Sequence, residues 1–114
     1  MENENLRTKH DIYVGSVGTD QLEQNFNIGY GFKYDDLDYY LLKLWPLPGI
    51  TYYLGKNREG DRYTVFSKIL TEGSGVRLQN PIGYGVLRPD LKDYIEICLR
   101  FPKQRIYMSL YPTR

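Results

Sequence analysis

Acidic side chains are densest at Asp35, Asp36 and Asp38, shortly after a Gly-Tyr-Gly element. Neighbouring carboxylates can perform acid–base chemistry or bind a hard cation such as Ca²⁺. A second Gly-Tyr-Gly element is followed in a similar way by Asp90 and Asp93. Aspartate in a tight turn usually hydrogen-bonds to its own backbone, and two similar turns would need it equally. The pattern therefore favours turn formation over a metal site.

Nucleophilic catalysis and metal binding have few candidate residues. The chain contains one cysteine, Cys98, and one histidine, His10. A nucleophilic thiol needs a base within hydrogen-bond reach and a group that orients this base. Alternation instead places Cys98 on an outer face with Glu96 and Arg100, and no Cys/His cluster has the spacing of metal ligands. We therefore expect a protein that is not an enzyme and that needs no metal or cofactor.

Cations and aromatic rings are interleaved near the C-terminus, at Arg100, Phe101, Lys103, Arg105, Tyr107, Tyr111 and Arg114. Period-two alternation places Tyr107 and Tyr111 opposite the apolar Ile106 and Met108, so we expect both rings to be exposed. Such a segment suits single-stranded nucleic acid, whose bases stack on rings while cations meet phosphates. It equally suits a protein-binding hot spot. The net charge of +1 argues against a dedicated nucleic-acid binder.

The elements that must position these residues are predicted to be strands. Alanine, the best helix former, is absent, whereas tyrosine, which favours strands, occurs 12 times. Clusters of glycine, proline, asparagine and aspartate divide the chain into short segments. They predict eight strands, at about residues 10–16, 26–34, 38–45, 50–56, 61–70, 82–88, 93–101 and 105–111. A helix-capping pattern over residues 20–25 predicts one or two helical turns.

The strands fall into two similar halves. Ile-Gly-Tyr-Gly at residues 28–31 recurs at 82–85, an offset of 54, and Trp-Pro at 45–46 is matched by Phe-Pro at 101–102, an offset of 56. Aligned residues fall on the same face of their strands, as a true repeat requires. We therefore predict an all-β fold of about eight antiparallel strands in two repeated four-stranded halves. Both a sandwich and a small closed barrel satisfy this pattern.

A shared apolar face of the two halves is predicted to form the core, comprising Tyr40, Leu42, Leu44, Ile50, Leu54, Ile95, Ile97, Leu99, Ile106, Met108 and Leu110. The repeated Gly-Tyr-Gly elements have two interpretations. Paired glycines can clear a sheet face for a ligand, or they can allow a bulge where the sheet bends to close. We favour the bulge, because closure needs bends at equivalent places in both halves.

A single domain is predicted over residues 10–114, with halves at about 10–60 and 61–114, after a flexible tail at residues 1–9. Residues 1–60 carry 9 acidic and 6 basic side chains, whereas residues 61–114 carry 5 acidic and 9 basic ones. This asymmetry makes head-to-tail dimerisation a candidate. One cysteine, no apolar leader and no long apolar run predict a cytoplasmic protein without a membrane segment.

Binding of another protein is the predicted function, as in an inhibitor, an immunity factor or an accessory subunit. The predicted contacts on tyrosine-rich outer faces are Tyr39, Trp45, Tyr53, Arg100, Arg105, Tyr107 and Tyr111. Single-stranded nucleic-acid binding through the C-terminal hairpin is one alternative. A small ligand near the approximate two-fold axis, beside the glycines and Tyr30 or Tyr84, is another.

Overall fold

A computed structural model describes residues 7–18, 21–57, 60–73, 75–88, 91, 93–100 and 103–112 of the chain. The strands are β1 (Arg7–Val17), β2 (Leu22–Tyr34), β3 (Tyr39–Leu44), β4 (Thr51–Lys56), β5 (Arg62–Glu72), β6 (Gly75–Leu87), β7 (Tyr94–Arg100) and β8 (Lys103–Ser109). Each strand pairs antiparallel with the next, and β1 pairs with β8, so that one sheet closes into a barrel. The predicted all-β fold is confirmed. Of the two predicted alternatives, a sandwich and a closed barrel, the structure has the closed barrel.

The N-terminal part of the chain differs from the sequence prediction at two places. Residues 7–9, predicted as the end of a flexible tail, belong to β1 and pair with β2. The predicted helical turns at residues 20–25 are wrong, because β2 already begins at Leu22. Leu22 pairs with Val17 and is buried, so strand pairing and tertiary packing override a weak capping signal. Residues 1–6 lie outside the described part of the chain.

The barrel interior is apolar. Its buried side chains are Ile12, Leu42, Leu44, Tyr52, Leu54, Val65, Ile95, Ile97, Leu99, Ile106 and Met108. Tyr40 and Leu110, which were predicted in the core, are half-buried and pack against it. Ile50 is 43% exposed, so its prediction as a core residue is wrong. Ile12 and Val65 are core residues that the sequence did not predict. They lie on β1 and β5, and the predicted core came only from other strands, which the repeat aligns between the two halves.

The pairing registers of the two halves correspond, and residues at corresponding places are called counterparts below. Gly29 pairs with Leu44 between β2 and β3, as Gly83 pairs with Leu99 between β6 and β7. Likewise, Leu42 pairs with Tyr52 between β3 and β4, as Ile97 pairs with Ile106 between β7 and β8. The last strands are thus offset by 54 residues. The predicted offset of 56 is wrong there, because more residues separate β3 from β4 than separate β7 from β8. Ile50 therefore corresponds to the exposed Gln104 and not to a core residue.

A β-bulge accompanies each Gly-Tyr-Gly element. Ile28 is unpaired where β2 faces β1, and Ile82 is unpaired where β6 faces β5. A Cβ at Gly29 would overlap the backbone oxygen of Lys43, and one at Gly83 would overlap that of Cys98. The bulges agree with the favoured interpretation of the repeated element. Close approach of the neighbouring backbone is a separate reason why Gly29 and Gly83 must be glycine.

Two hairpins extend beyond the short strands. The strands β1, β2, β5 and β6 have 11 or 13 residues each, whereas β3, β4, β7 and β8 have 6 or 7. The free ends of the β1–β2 and β5–β6 hairpins are therefore available to cover the outer face of the barrel. No helix in the described ranges could cross a membrane.

Candidate binding sites on the outer surface

The residues predicted as binding contacts do not form one site. Tyr39 and Tyr53 lie together on β3 and β4, with ring centroids 6.0 Å apart in an edge-to-face arrangement. Tyr39 is buried rather than exposed, which corrects its prediction as an outer contact. Burial raises the pKa of Tyr39, and the nearby Tyr53, Asp38 and Asp36 raise this pKa further. The tyrosine pair therefore belongs to the neighbourhood of the acidic loop.

Tyr107 is also buried, at 2% exposure, although it points away from the barrel interior. Its hydroxyl donates a hydrogen bond to Glu96 Oε2 at 3.3 Å, and Arg88 Nη1 lies 3.1 Å from the same oxygen. Burial, followed by the charge of Glu96, raises the pKa of Tyr107. The prediction of Tyr107 as an exposed contact is therefore wrong.

The remaining predicted contacts are exposed but separate. Trp45 stands edge-to-face on Tyr30, with ring centroids 5.5 Å apart. Tyr111 follows the end of β8, where its backbone N–H donates to Ser109 Oγ. Arg100 and Arg105 lie near each other on the β7–β8 hairpin and line one cavity. Phe101, Asp90 and Arg114, named with these segments in the sequence, lie outside the described residues.

Tyr107 is buried by a small apolar cluster on the outer face, called the closed cluster below. Its fully buried members are Leu22, Leu91 and Tyr107, and its half-buried members are Tyr13, Val17 and Tyr94. Leu22 and Val17 come from the end of the β1–β2 hairpin, and Leu91 comes from the loop before β7. The hairpin end and the loop thus meet over β8 and exclude water from that part of the outer face.

The same position in the first half is open. A groove of about 810 Å³ separates the loop at residues 35–38 from the β5–β6 hairpin. This hairpin groove is lined by Asp35, Asp36, Leu37, Asp38, Tyr39, Gly55, Lys56, Asn57, Phe66, Val76, Arg77 and Leu78. Its volume lies within the range of about 300–1,000 Å³ that is common for ligand pockets.

Counterparts relate the groove to the closed cluster. The pairing registers relate Leu37, Tyr39, Tyr53 and Phe66 to Leu91, Tyr94, Tyr107 and Tyr13. Val76 is assigned Leu22 as its counterpart by the sequence offset of 54 alone, because β1–β2 has a second bulge between Val14 and Ser16 that β5–β6 lacks. Each position is apolar or aromatic in both halves. However, Val76 is 48% exposed, whereas its counterpart Leu22 is 7% exposed. Val76 on the β5–β6 hairpin is therefore left uncovered, whereas Leu22 on the β1–β2 hairpin is covered.

Charge distinguishes the two walls of the hairpin groove. The loop wall carries Asp35, Asp36 and Asp38, which are exposed. None of the three forms an ion pair with a lysine or arginine of the described ranges. The hairpin wall and the end of β4 contribute Arg77 and Lys56. No three potential metal ligands converge within the described residues, this loop included.

A second cavity, of about 390 Å³, lies on the outer face of β6, β7 and β8. This basic cleft is lined by Tyr84, Cys98, Leu99, Arg100, Lys103, Gln104 and Arg105. Tyr84, Cys98 and Arg105 form one row across the three strands. Hydrogen bonding to Cys98 raises the pKa of Tyr84 and also that of Arg105. The cleft therefore combines an exposed ring with three cations.

Within the Gly-Tyr-Gly elements, Gly31 and Gly85 face the packed core rather than a ligand cavity. A Cβ at Gly31 would overlap Met108 Sδ, and one at Gly85 would lie 3.2 Å from Ile95 Cγ2. Both glycines thus face packed core side chains, which counts against a small ligand beside them. His10 is buried as well, with Nδ1 3.0 Å from the Ser109 carbonyl oxygen.

Sequence reasoning missed the parts of the groove that lie on the β5–β6 hairpin, namely Phe66, Val76 and Leu78. Phe66 lies in the predicted strand at 61–70, but Val76 and Leu78 lie between the predicted strands 61–70 and 82–88, whereas β6 in fact begins at Gly75. Their partner across the groove is the loop at residues 35–38, and alternation along single strands does not show such contacts. Alignment of the β1–β2 hairpin with the β5–β6 hairpin would have placed Val76 opposite Leu22. No protein-family model, curated protein or solved structure was found to match this chain.

Proposed function

We propose that this protein is a small non-enzymatic module that binds another protein, and that the hairpin groove is its binding site. The observation that carries the proposal is the difference between Val76 and its buried counterpart Leu22. In the closed cluster, Leu22 packs with Leu91 and Tyr107. An apolar side chain supplied by a partner would pack in a similar way between Leu37 and Val76, which line the groove.

The chemistry of the groove defines the partner. Burial of one large apolar side chain contributes about 1.5–3 kcal/mol, which rewards a leucine, phenylalanine or tyrosine placed between Leu37 and Val76. The exposed carboxylates Asp35, Asp36 and Asp38 favour a lysine or arginine next to it. The partner is therefore a protein with an exposed segment in which a large apolar residue neighbours a basic one. The single cysteine supports a reducing, cytoplasmic setting for this interaction.

Selection from a random peptide library displayed on phage tests this proposal. We expect immobilised wild-type protein to enrich peptides that combine a large apolar residue with an adjacent lysine or arginine. Replacement of Asp35→Asn together with Asp38→Asn should weaken the selected peptides about two- to thirtyfold, since each exposed charge contact contributes about 0.2–1 kcal/mol. Isothermal titration calorimetry measures this change.

Asp93→Asn is the matched control, because Asp93 is an exposed aspartate of the corresponding loop beside the closed cluster. It should leave peptide affinity unchanged. Val76→Leu, which copies the counterpart residue, should also weaken binding by filling part of the groove. Two results would contradict the hairpin groove as the binding site: selected peptides that lack basic residues, or peptides whose affinity is the same for the wild type and both groove variants.

A further inference from the structure

We propose that the basic cleft is a second binding site and that it takes a nucleotide unit, with the planar base against Tyr84 and the phosphate among the surrounding cations. This site is separate from the hairpin groove and does not depend on the function proposed for it. The two cavities share no lining residue.

The shape of the ligand follows from the first half of the barrel. Tyr30 is the counterpart of Tyr84, and Trp45 is the counterpart of Arg100. The Trp45 ring stands on Tyr30 at a centroid distance of 5.5 Å and an interplanar angle of 74°. The space that corresponds to this indole in the second half opens as the basic cleft beside Tyr84. A flat aromatic group is therefore the shape that completes the cleft.

A cation already accompanies the aromatic pair of the first half. Lys9 Nζ lies 4.4 Å from the centroid of the Tyr30 ring. Among the described residues, those that line the cleft with Tyr84 include three cations but no second ring, and the Tyr84 residue is 48% exposed. Base stacking on an exposed tyrosine contributes affinity that depends little on sequence. An aromatic ligand would thus supply a ring that the described lining of the cleft does not provide beside Tyr84.

The charge of the ligand follows from the side chains that line the cleft. Arg100, Lys103 and Arg105 are exposed, and Arg100 pairs with Lys103 at the turn of the β7–β8 hairpin. The one described carboxylate close to them is Glu96, whose nearer partner is Arg88 at 3.1 Å, whereas Arg105 Nε lies 3.7 Å away. The cleft therefore keeps an excess of positive charge, which favours a phosphate over a neutral aromatic compound.

A phosphate and a base together define a nucleotide unit, and this unit can come from single-stranded nucleic acid or from a free nucleotide. Cys98 provides a direct readout, because it is the only cysteine of the chain and lines the cleft. Alkylation of Cys98 by iodoacetamide, followed by intact mass spectrometry, should slow when the cleft is occupied. The probes are a twelve-residue oligothymidylate, thymidine monophosphate and inorganic phosphate, each at low and at physiological salt.

We expect the oligonucleotide to protect Cys98 at low salt, with an affinity whose logarithm falls by about two per decade of salt if three cations meet phosphates. Tyr84→Ala should weaken binding about five- to 150-fold, whereas Tyr84→Phe, which keeps the ring, should stay within about twofold. Arg100→Ala with Lys103→Ala should reduce the salt dependence. These affinities are measured by fluorescence anisotropy of a labelled oligonucleotide, and circular dichroism verifies that each variant is folded.

Two matched controls are Lys68→Ala, an exposed cation on the β5–β6 hairpin, and Tyr111→Ala, an exposed tyrosine beyond β8. Neither should change oligonucleotide affinity. Equal protection by the oligonucleotide and thymidine monophosphate identifies a free-nucleotide site, and protection by the oligonucleotide alone identifies a single-strand site; both outcomes support the proposal. Absence of protection at low salt, equal protection by inorganic phosphate or by polyglutamate, or insensitivity to Tyr84→Ala would overturn it.

Discussion

Truncation of two corresponding leucines tests whether the hairpin groove is open while its counterpart is closed. Leu91 is 1% exposed and packs with Leu22 and Tyr107, whereas Leu37 is half-buried and borders the groove. The two leucines occupy corresponding turns, in which Leu37 N–H donates to Tyr34 and Leu91 N–H donates to Arg88. The same change, leucine to alanine, can therefore be compared in two environments.

The expected costs differ because only one truncation leaves an enclosed cavity. Leu→Ala at fully buried sites costs about 2–5 kcal/mol, which includes the cavity that remains, and we expect about 3 kcal/mol for Leu91→Ala. At Leu37 the removed atoms already border open space, so no cavity cost arises. Removing the three carbons of leucine costs about 2.4 kcal/mol of transfer free energy when the side chain is fully buried. Because Leu37 is half-buried, Leu37→Ala should cost roughly half of this, about 1 kcal/mol.

Urea unfolding followed by far-ultraviolet circular dichroism measures both free energies of unfolding. Both substitutions are identical in type, so their effects on the unfolded chain largely cancel in the comparison. The expected difference of about 2 kcal/mol is well above the error of such measurements. A difference below about 0.5 kcal/mol would refute the reasoning, since Leu37 would then be as enclosed as Leu91 and the groove would be closed in solution.

Three further substitutions test the interior. Gly83→Ala should lower the free energy of unfolding in urea by about 3 kcal/mol or more, because the new Cβ would meet backbone atoms of Cys98 and Leu99 that no rotamer change can move. Gly85→Ala should lower it by about 1 kcal/mol, since the nearest atom to its new Cβ is Ile95 Cγ2 at 3.2 Å. Equal costs would contradict the close approach of the strands at Gly83. Burial lowers the pKa of His10 below 6.5, so the unfolded state takes up the proton first and stability should fall as the pH is lowered through about 6.5. His10→Gln should remove this pH dependence of the free energy of unfolding. Identical pH profiles of stability for the wild type and His10→Gln between pH 5 and 7.5 would contradict the role of His10.

Local patterns in the sequence predict the strands and much of the interior of this fold. Period-two alternation identifies Leu42, Leu54, Ile95 and Ile97 as core residues, and all four are buried. Alternation depends on each strand alone, so it remains informative without knowledge of the neighbouring strands. The internal repeat stays a prediction, although the pairing registers of the two halves correspond.

The outer face could not be predicted in the same way. Tyr107 points outward as alternation predicts, yet Leu22 and Leu91, from distant parts of the chain, cover it. Alternation distinguishes the two faces of a strand but does not show what lies over the outer one. Ile50 was wrongly aligned with a core residue because the alignment was carried across a loop. Loop lengths can differ between the halves, whereas the pairing registers of the strands cannot.

The closure of the barrel has a consequence for how the chain folds. The described seam joins β1 to β8 through Ile12–Met108 and Tyr13–Tyr107, pairs that span almost the whole chain. Contacts of such sequence separation carry the largest loop-closure entropy and slow folding. During synthesis, β8 leaves the ribosome after β1 to β7, so the edges of β1 and β7 that pair with β8 stay unpaired until β8 emerges. We therefore expect the nascent barrel to be most prone to aggregation just before β8 is complete.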